Sequence, residues 1–120
     1  MYSIYFYVDR RGSAVVRDFI KEFNKKSRAK IGRYIELLEQ HGPDLVRPYA
    51  DHVRDKIREL RIHVADGNVR IFYFFFIEKK IVLLHAFKKK TQDLPEREIE
   101  QAERNLEDFL TRYNQGEFSI

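Results

Sequence analysis

The 120-residue chain has no cysteine, which removes disulfides, thiol nucleophiles and cysteine-ligated zinc from consideration. No apolar run approaches the roughly 20 residues that a membrane-spanning helix requires. The opening MYSIYFYVDR lacks the basic start, apolar centre and small-residue cleavage site of a secretory leader. It reads instead as a strand of the mature protein, and a cytoplasmic location follows as the expectation. Internal repeats and low-complexity segments are absent, as are a glycine-rich phosphate loop and a G-x-S-x-G elbow. The four histidines, His41, His52, His63 and His85, show no H-x-x-x-H spacing, and no clustered Asp/Glu pair suggests a metal. Neither a metal nor another cofactor is expected.

What the chain does have is aromatic and basic. Ten Phe and seven Tyr within a hydrophobic fraction of 43% supply the core of a single domain over residues 1–120. A net charge of +4 favours an acidic partner only weakly. The distribution says more. Arg54, Lys56, Arg58 and Arg61 crowd residues 54–61, and Lys88-Lys89-Lys90 is unbroken. Asp93, Glu96, Glu98, Glu100, Glu103, Glu107 and Asp108 then reverse the sign against Arg97 and Arg104.

Residues 2–8 have strand composition, with Tyr2, Ile4, Phe6 and Val8 on one face and Tyr5 and Tyr7 on the other. Ser13 is a candidate cap for a helix carrying Val15, Val16, Phe19, Ile20 and Phe23 to about Asn24. Ser27 is the candidate cap for a second helix with Ile31, Tyr34, Ile35 and Leu38 on one stripe, stopped at Gly42-Pro43. Residues 44–55 pattern poorly, with at most a short strand at 45–47. Three strands follow, at 57–64, 69–77 and 81–87, joined by short polar turns as an antiparallel meander. Ile99, Ala102, Leu106, Phe109 and Tyr113 mark a last helix that opens at Pro95, with a frayed tail over 114–120. The expected order is β-α-α-β-β-β-α, an α+β domain.

Arg61 and Arg70 fall on neighbouring strands of one predicted hairpin, so both guanidinium groups can reach a common site. Arginine binds phosphate bidentately and stays charged, which suits a pentavalent phosphoryl transition state. The ordinary alternative for Arg61 is an ion pair with Glu59. Lys88, or Lys89 with the opposite strand parity, would extend that positive surface, with Lys90 beside them. His63 and His85 are candidates for proton transfer, although His85 in LLHAF also suits a core position. Tyr73 could stack on a base, but the run 72–76 reads mainly as core.

ELR at 59–61, VRIFYFF at 69–75 and IVLLHAFKKKTQDLP at 81–95, ahead of an amphipathic helix, resemble the phage-related HigB-like toxins of the RelE/ParE superfamily. The strand–helix–helix start and the LLEQHG helix ending fit the same resemblance. It implies a RelE-like fold, with a helical hairpin packed on a twisted, mainly antiparallel sheet and a C-terminal helix. It also implies a metal-independent mRNA endonuclease acting on the ribosome, in which the 2′-hydroxyl attacks the adjacent phosphate. The expected partners are the ribosome, mRNA and a cognate helix-turn-helix antitoxin of the HigA type; no membrane is involved. Carried onto this chain, the phosphate-facing cations are Arg61, Arg70 and Lys88 or a neighbouring lysine; a lysine, Glu59 or His85 would have to move protons, or charge stabilisation alone would carry most of the rate. Arg58, His63, Tyr73, Lys89 and Lys90 would contact RNA. Where many relatives place a tyrosine or histidine after the last strand, this chain has only Lys90-Thr91-Gln92. A gyrase-poisoning activity of the ParE type, and a silent RNA- or protein-binding domain, are the alternatives.

Overall fold

A computed structural model describes residues 1–118 and 120. The elements are β1 (Ser3–Phe6), α1 (Val15–Lys21), α2 (Lys25–His41), a single 3-10 turn at Gly42–Asp44, β2 (Ala50–Arg54), β3 (Ile57–Val64), β4 (Gly67–Phe76), β5 (Lys80–Lys89) and α3 (Glu96–Asn114). One five-stranded sheet runs in the order β1-β5-β4-β3-β2. Every neighbouring pair is antiparallel except β1 with β5. The fold is therefore α+β and compatible with the RelE-like architecture the sequence suggested. Among the described residues, no helix is long and apolar enough to cross a membrane.

Alternation along the strands sorts their side chains onto two faces. Leu60, Ile62 and Val64 of β3, Ile71 and Tyr73 of β4, and Ile81 and Leu83 of β5 meet Val16, Phe23, Ile31 and Leu38 of the α1–α2 hairpin. On the opposite face Tyr7, Phe72, Phe74, Val82 and Leu84 meet Ile99, Ala102 and Phe109 of α3. β4 is buried on both sides, which is why its sequence is a nearly unbroken aromatic run.

Four local expectations give way. The meander has four strands rather than three, because residues 50–54 pair with β3 through Ala50–Leu60, Asp51–Glu59 and His52–Arg58. Residues 45–47 form no strand. Ser13 does not cap α1: Ala14 occupies that position, and the Ser13 hydroxyl donates to Asp18 at 2.7 Å. α2 is capped by Asn24, whose side chain accepts the Ser27 N–H at 2.8 Å. That geometry completes one of the free donors of the first turn.

Gly42 ends α2 at φ +52, and a Cβ built there would run into the Tyr2 ring. Here the backbone needs glycine for both conformation and space. At the other end of the chain, Asp108 accepts hydrogen bonds from Tyr7 (2.6 Å), Arg10 (2.7 Å) and Arg112 (2.8 Å). Arg112 also donates to Val8 O at 2.7 Å. Past α3, in the segment expected to fray, the Glu117 N–H donates to Arg112 O, and Phe118 stacks on Phe109 at 5.3 Å.

Candidate nucleic-acid interface

Strand pairing sets the candidate residues into rows across β3, β4 and β5, on the face that α3 covers. Nearest the β3–β4 turn are His63, Asn68 and Lys89; the next row is Arg61, Arg70 and Phe87; the third is Glu59, Phe72 and His85. Directly paired residues point to the same side of a sheet. Arg61 and Arg70 are therefore neighbours on one face, as the hairpin predicted.

Two like charges in direct opposition repel, and Glu59 sits between them. Its carboxylate accepts from Arg61 Nη1 at 3.0 Å and lies 3.1 Å from Arg70 Nε, off the hydrogen-bonding direction. Glu59 is 3% exposed and Arg70 6%, whereas the Arg61 side chain keeps 27% of its surface open. Burial pulls the Arg70 guanidinium below its ordinary value; the Glu59 charge opposes that, and Arg61 and Arg47 reinforce it. The alternative reading of Arg61, an ion pair with Glu59, is thus realised, and the pair shares one carboxylate rather than standing bare.

Two neighbours escaped sequence reasoning. Asp51 is paired opposite Glu59 from β2, and Arg47 binds it at 2.7–2.8 Å. The Arg47 hydrogen bond holds the Asp51 carboxyl below its usual range, against a smaller opposing effect of burial. Arg47, Asp51, Glu59, Arg61 and Arg70 make a cluster of three cations and two anions, net positive by one. Because β2 has no clean alternation, no sequence signal placed its residues there.

The lysines divide. A bulge in β5 opposite Phe72 and Tyr73 shifts the register, so residues after Leu84 present the face that simple alternation denies them. Lys89 thereby joins the arginine face, where its ammonium donates to the carbonyls of Thr91 and Gln92. Lys88 lies on the opposite face, its ammonium 5.1 Å from the centre of the Phe23 ring. Lys90 is exposed. Arg58 also points to the α1–α2 side, paired opposite Tyr73. Tyr73 is fully buried and its hydroxyl finds no partner among the described residues, so its ring presents no face for a base. Burial raises the Tyr73 pKa while Arg58 pulls it down.

His63 is exposed and hydrogen-bonds Asn68 through Nδ1 at 2.9 Å. His85 is half-buried, its Nε2 at 2.7 Å from Glu98 Oε1, and its ring stacks on Phe87. Phe72 separates it from Glu59, so the two candidate proton carriers lie two strand spacings apart, about 10 Å. Glu98, the acid that holds His85, carried no signal beyond its place in an acidic first turn. Arg61, Arg70 and Glu59 are thus brought together with Lys89 and His63 nearby, while Lys88, Arg58 and Tyr73 are not.

No curated protein matches the chain. A family model described as Phage derived protein Gp49-like (DUF891) matches residues 18–107, from α1 through most of α3, including every residue of the arginine cluster. The chain belongs to this Gp49-like family of phage-derived proteins, a RelE-type toxin family.

Proposed function

We propose that the protein is the toxin of a toxin–antitoxin pair and cleaves mRNA on translating ribosomes, without a metal, at the arginine cluster on β3 and β4. The observation that carries this is the direct pairing of Arg61 with Arg70 on one face, with Arg61 partly open to solvent. A phosphate arriving at Arg61 would compete with Glu59 for the guanidinium and, through it, draw on the charge of Arg70. The RNA's 2′-oxygen attacks the adjacent phosphorus, a base takes its proton, and the 5′-oxygen leaves after accepting one. Two guanidinium groups suit the charge that builds on the non-bridging oxygens.

Glu59, freed from Arg61 by the incoming phosphate, would serve as the base. His85, held by Glu98, would protonate the leaving oxygen. Lys89, Lys90 and His63 line the approach to the cluster, and Lys88 lies around the strand end on the other face. A small helix-turn-helix antitoxin of the HigA type would be the neutralising partner.

The test is inducible expression followed by mapping of mRNA 5′ ends. New ends on translated messages, lost in Arg61→Gln and Arg70→Lys variants that keep wild-type circular dichroism, support the reading. Full cleavage by the double variant removes the proposed site. DNA damage with intact mRNA would assign the ParE-type activity instead.

A further inference from the structure

β5 runs from Lys80 to Lys89, but its parallel neighbour β1 covers only the first four of these residues, ending at the pair Phe6–Leu83. One more backbone bond follows, Tyr7 N–H to Leu83 O at 3.0 Å, and the buried Asn105 side chain then donates to Leu84 O at 2.8 Å. Beyond this the chain leaves the lane, since Val8 bridges to Ala14 and α1 begins. Residues 85–88 pair with β4 on their inner side; among the described residues nothing hydrogen-bonds their outer edge.

The vacated lane is the floor of a trough. Two clefts of about 440 and 570 Å³ adjoin there, sharing Phe19, Glu22 and Ala86, with α1 as one wall and α3 as the other. An open strand edge is a template for a further strand: the backbone supplies affinity and alternate side chains supply selectivity. The free stretch 85–88 is about 13 Å long at the usual strand rise. Its walls decide what fits. Asp9, Asp18 and Glu22 make the α1 side acidic, which attracts a cationic side chain, whereas Lys88, Lys90 and Arg97 line the far cleft. Phe19 and Ala86 offer an apolar contact between those charges.

We propose that the outer edge of β5 at residues 85–88 takes up an extended peptide segment of a partner protein, which adds as a strand and directs a lysine or arginine at Asp18 and Glu22. The inference rests on an unpaired backbone edge and an acidic wall rather than on the nuclease reading, although His85 belongs to both, and its test contains no cleavage step.

The probe is a capped heptapeptide alternating Val and Lys (VKVKVKV), titrated into the full chain with amide hydrogen exchange read residue by residue. Amides within 85–88 should gain at least tenfold protection at saturation. The same peptide N-methylated at alternate residues should bind at least tenfold more weakly, as should its Val/Glu counterpart. The double variant Asp18→Lys/Glu22→Lys changes two exposed residues and should lower affinity for VKVKVKV to the same degree. Equal binding by the N-methylated peptide would reduce the effect to surface charge and overturn the proposal. So would absence of binding at millimolar peptide, or protection of 85–88 by oligouridine but not by peptide, which would make the trough an RNA groove.

Discussion

The Glu59 carboxylate faces two guanidinium groups, at 3.0 and 3.1 Å, with almost no access to water. Removing one partner from such a buried set leaves an uncompensated charge, which costs about 3–5 kcal/mol. Glu59→Gln should therefore lower the unfolding free energy by about 3 kcal/mol in urea titrations, and Glu59→Gln/Arg70→Met should regain most of it. A change below about 0.5 kcal/mol in the single variant would mean that water already screens the cluster. Asp108 behaves differently. Burial acts to raise its pKa, but hydrogen bonds from Tyr7, Arg112 and Arg10 outweigh burial and hold it at about 2. Unfolded, it titrates near 4. The folded state thus binds fewer protons, and the stabilisation is complete above about pH 5 and lost as pH falls towards 2. The shift corresponds to about 2 kcal/mol. Thermal unfolding of Asp108→Asn should show that deficit at pH 7 and almost none at pH 2.

Elements differ in how much of themselves they write into the sequence. β3 was legible to the residue, because Leu60, Ile62 and Val64 alternate against Glu59, Arg61 and His63. β2, ADHVR, carries no such contrast; its strand character comes from pairing with β3 and is bent by a bulge between His52 and Arg54. The same limit applied at the candidate site. The pairing of Arg61 with Arg70 followed from a two-strand hairpin, but the parity of Lys88 and Lys89 depended on a β5 bulge, and one inserted residue exchanges the faces of all that follow. The caps were ambiguous for a local reason: Asn24 and Ser27 stand three apart, and one is the acceptor for the other's N–H. Asn24→Ala should destabilise the protein by about 1 kcal/mol in denaturant unfolding. Ser13→Ala, which removes no cap, should cost clearly less.

Across the whole molecule, charge is sorted by surface. The acids of α3 are partly spent on Arg54, Arg10 and Arg112, whereas Lys90 and the open part of Arg61 remain near the β3–β4 end of the sheet. If RNA is held there, affinity should fall with salt by a log–log slope of about −0.7 per phosphate engaged. Lys90→Ala and Arg61→Gln should each make the slope shallower by about that amount in binding titrations on single-stranded RNA. A slope unchanged by both would place the contact elsewhere. The contacts that fasten β1 also have a consequence in time. Its strand partner begins at residue 80, and the side chains that pin its end, Asp108 and Arg112, come more than a hundred residues after Tyr7. Such distant closures are made late in folding. During synthesis the first strand has nothing to join until residues 80–83 have been made, whereas the β2–β3 and β3–β4 pairs that carry the arginine cluster are complete in sequence by residue 76.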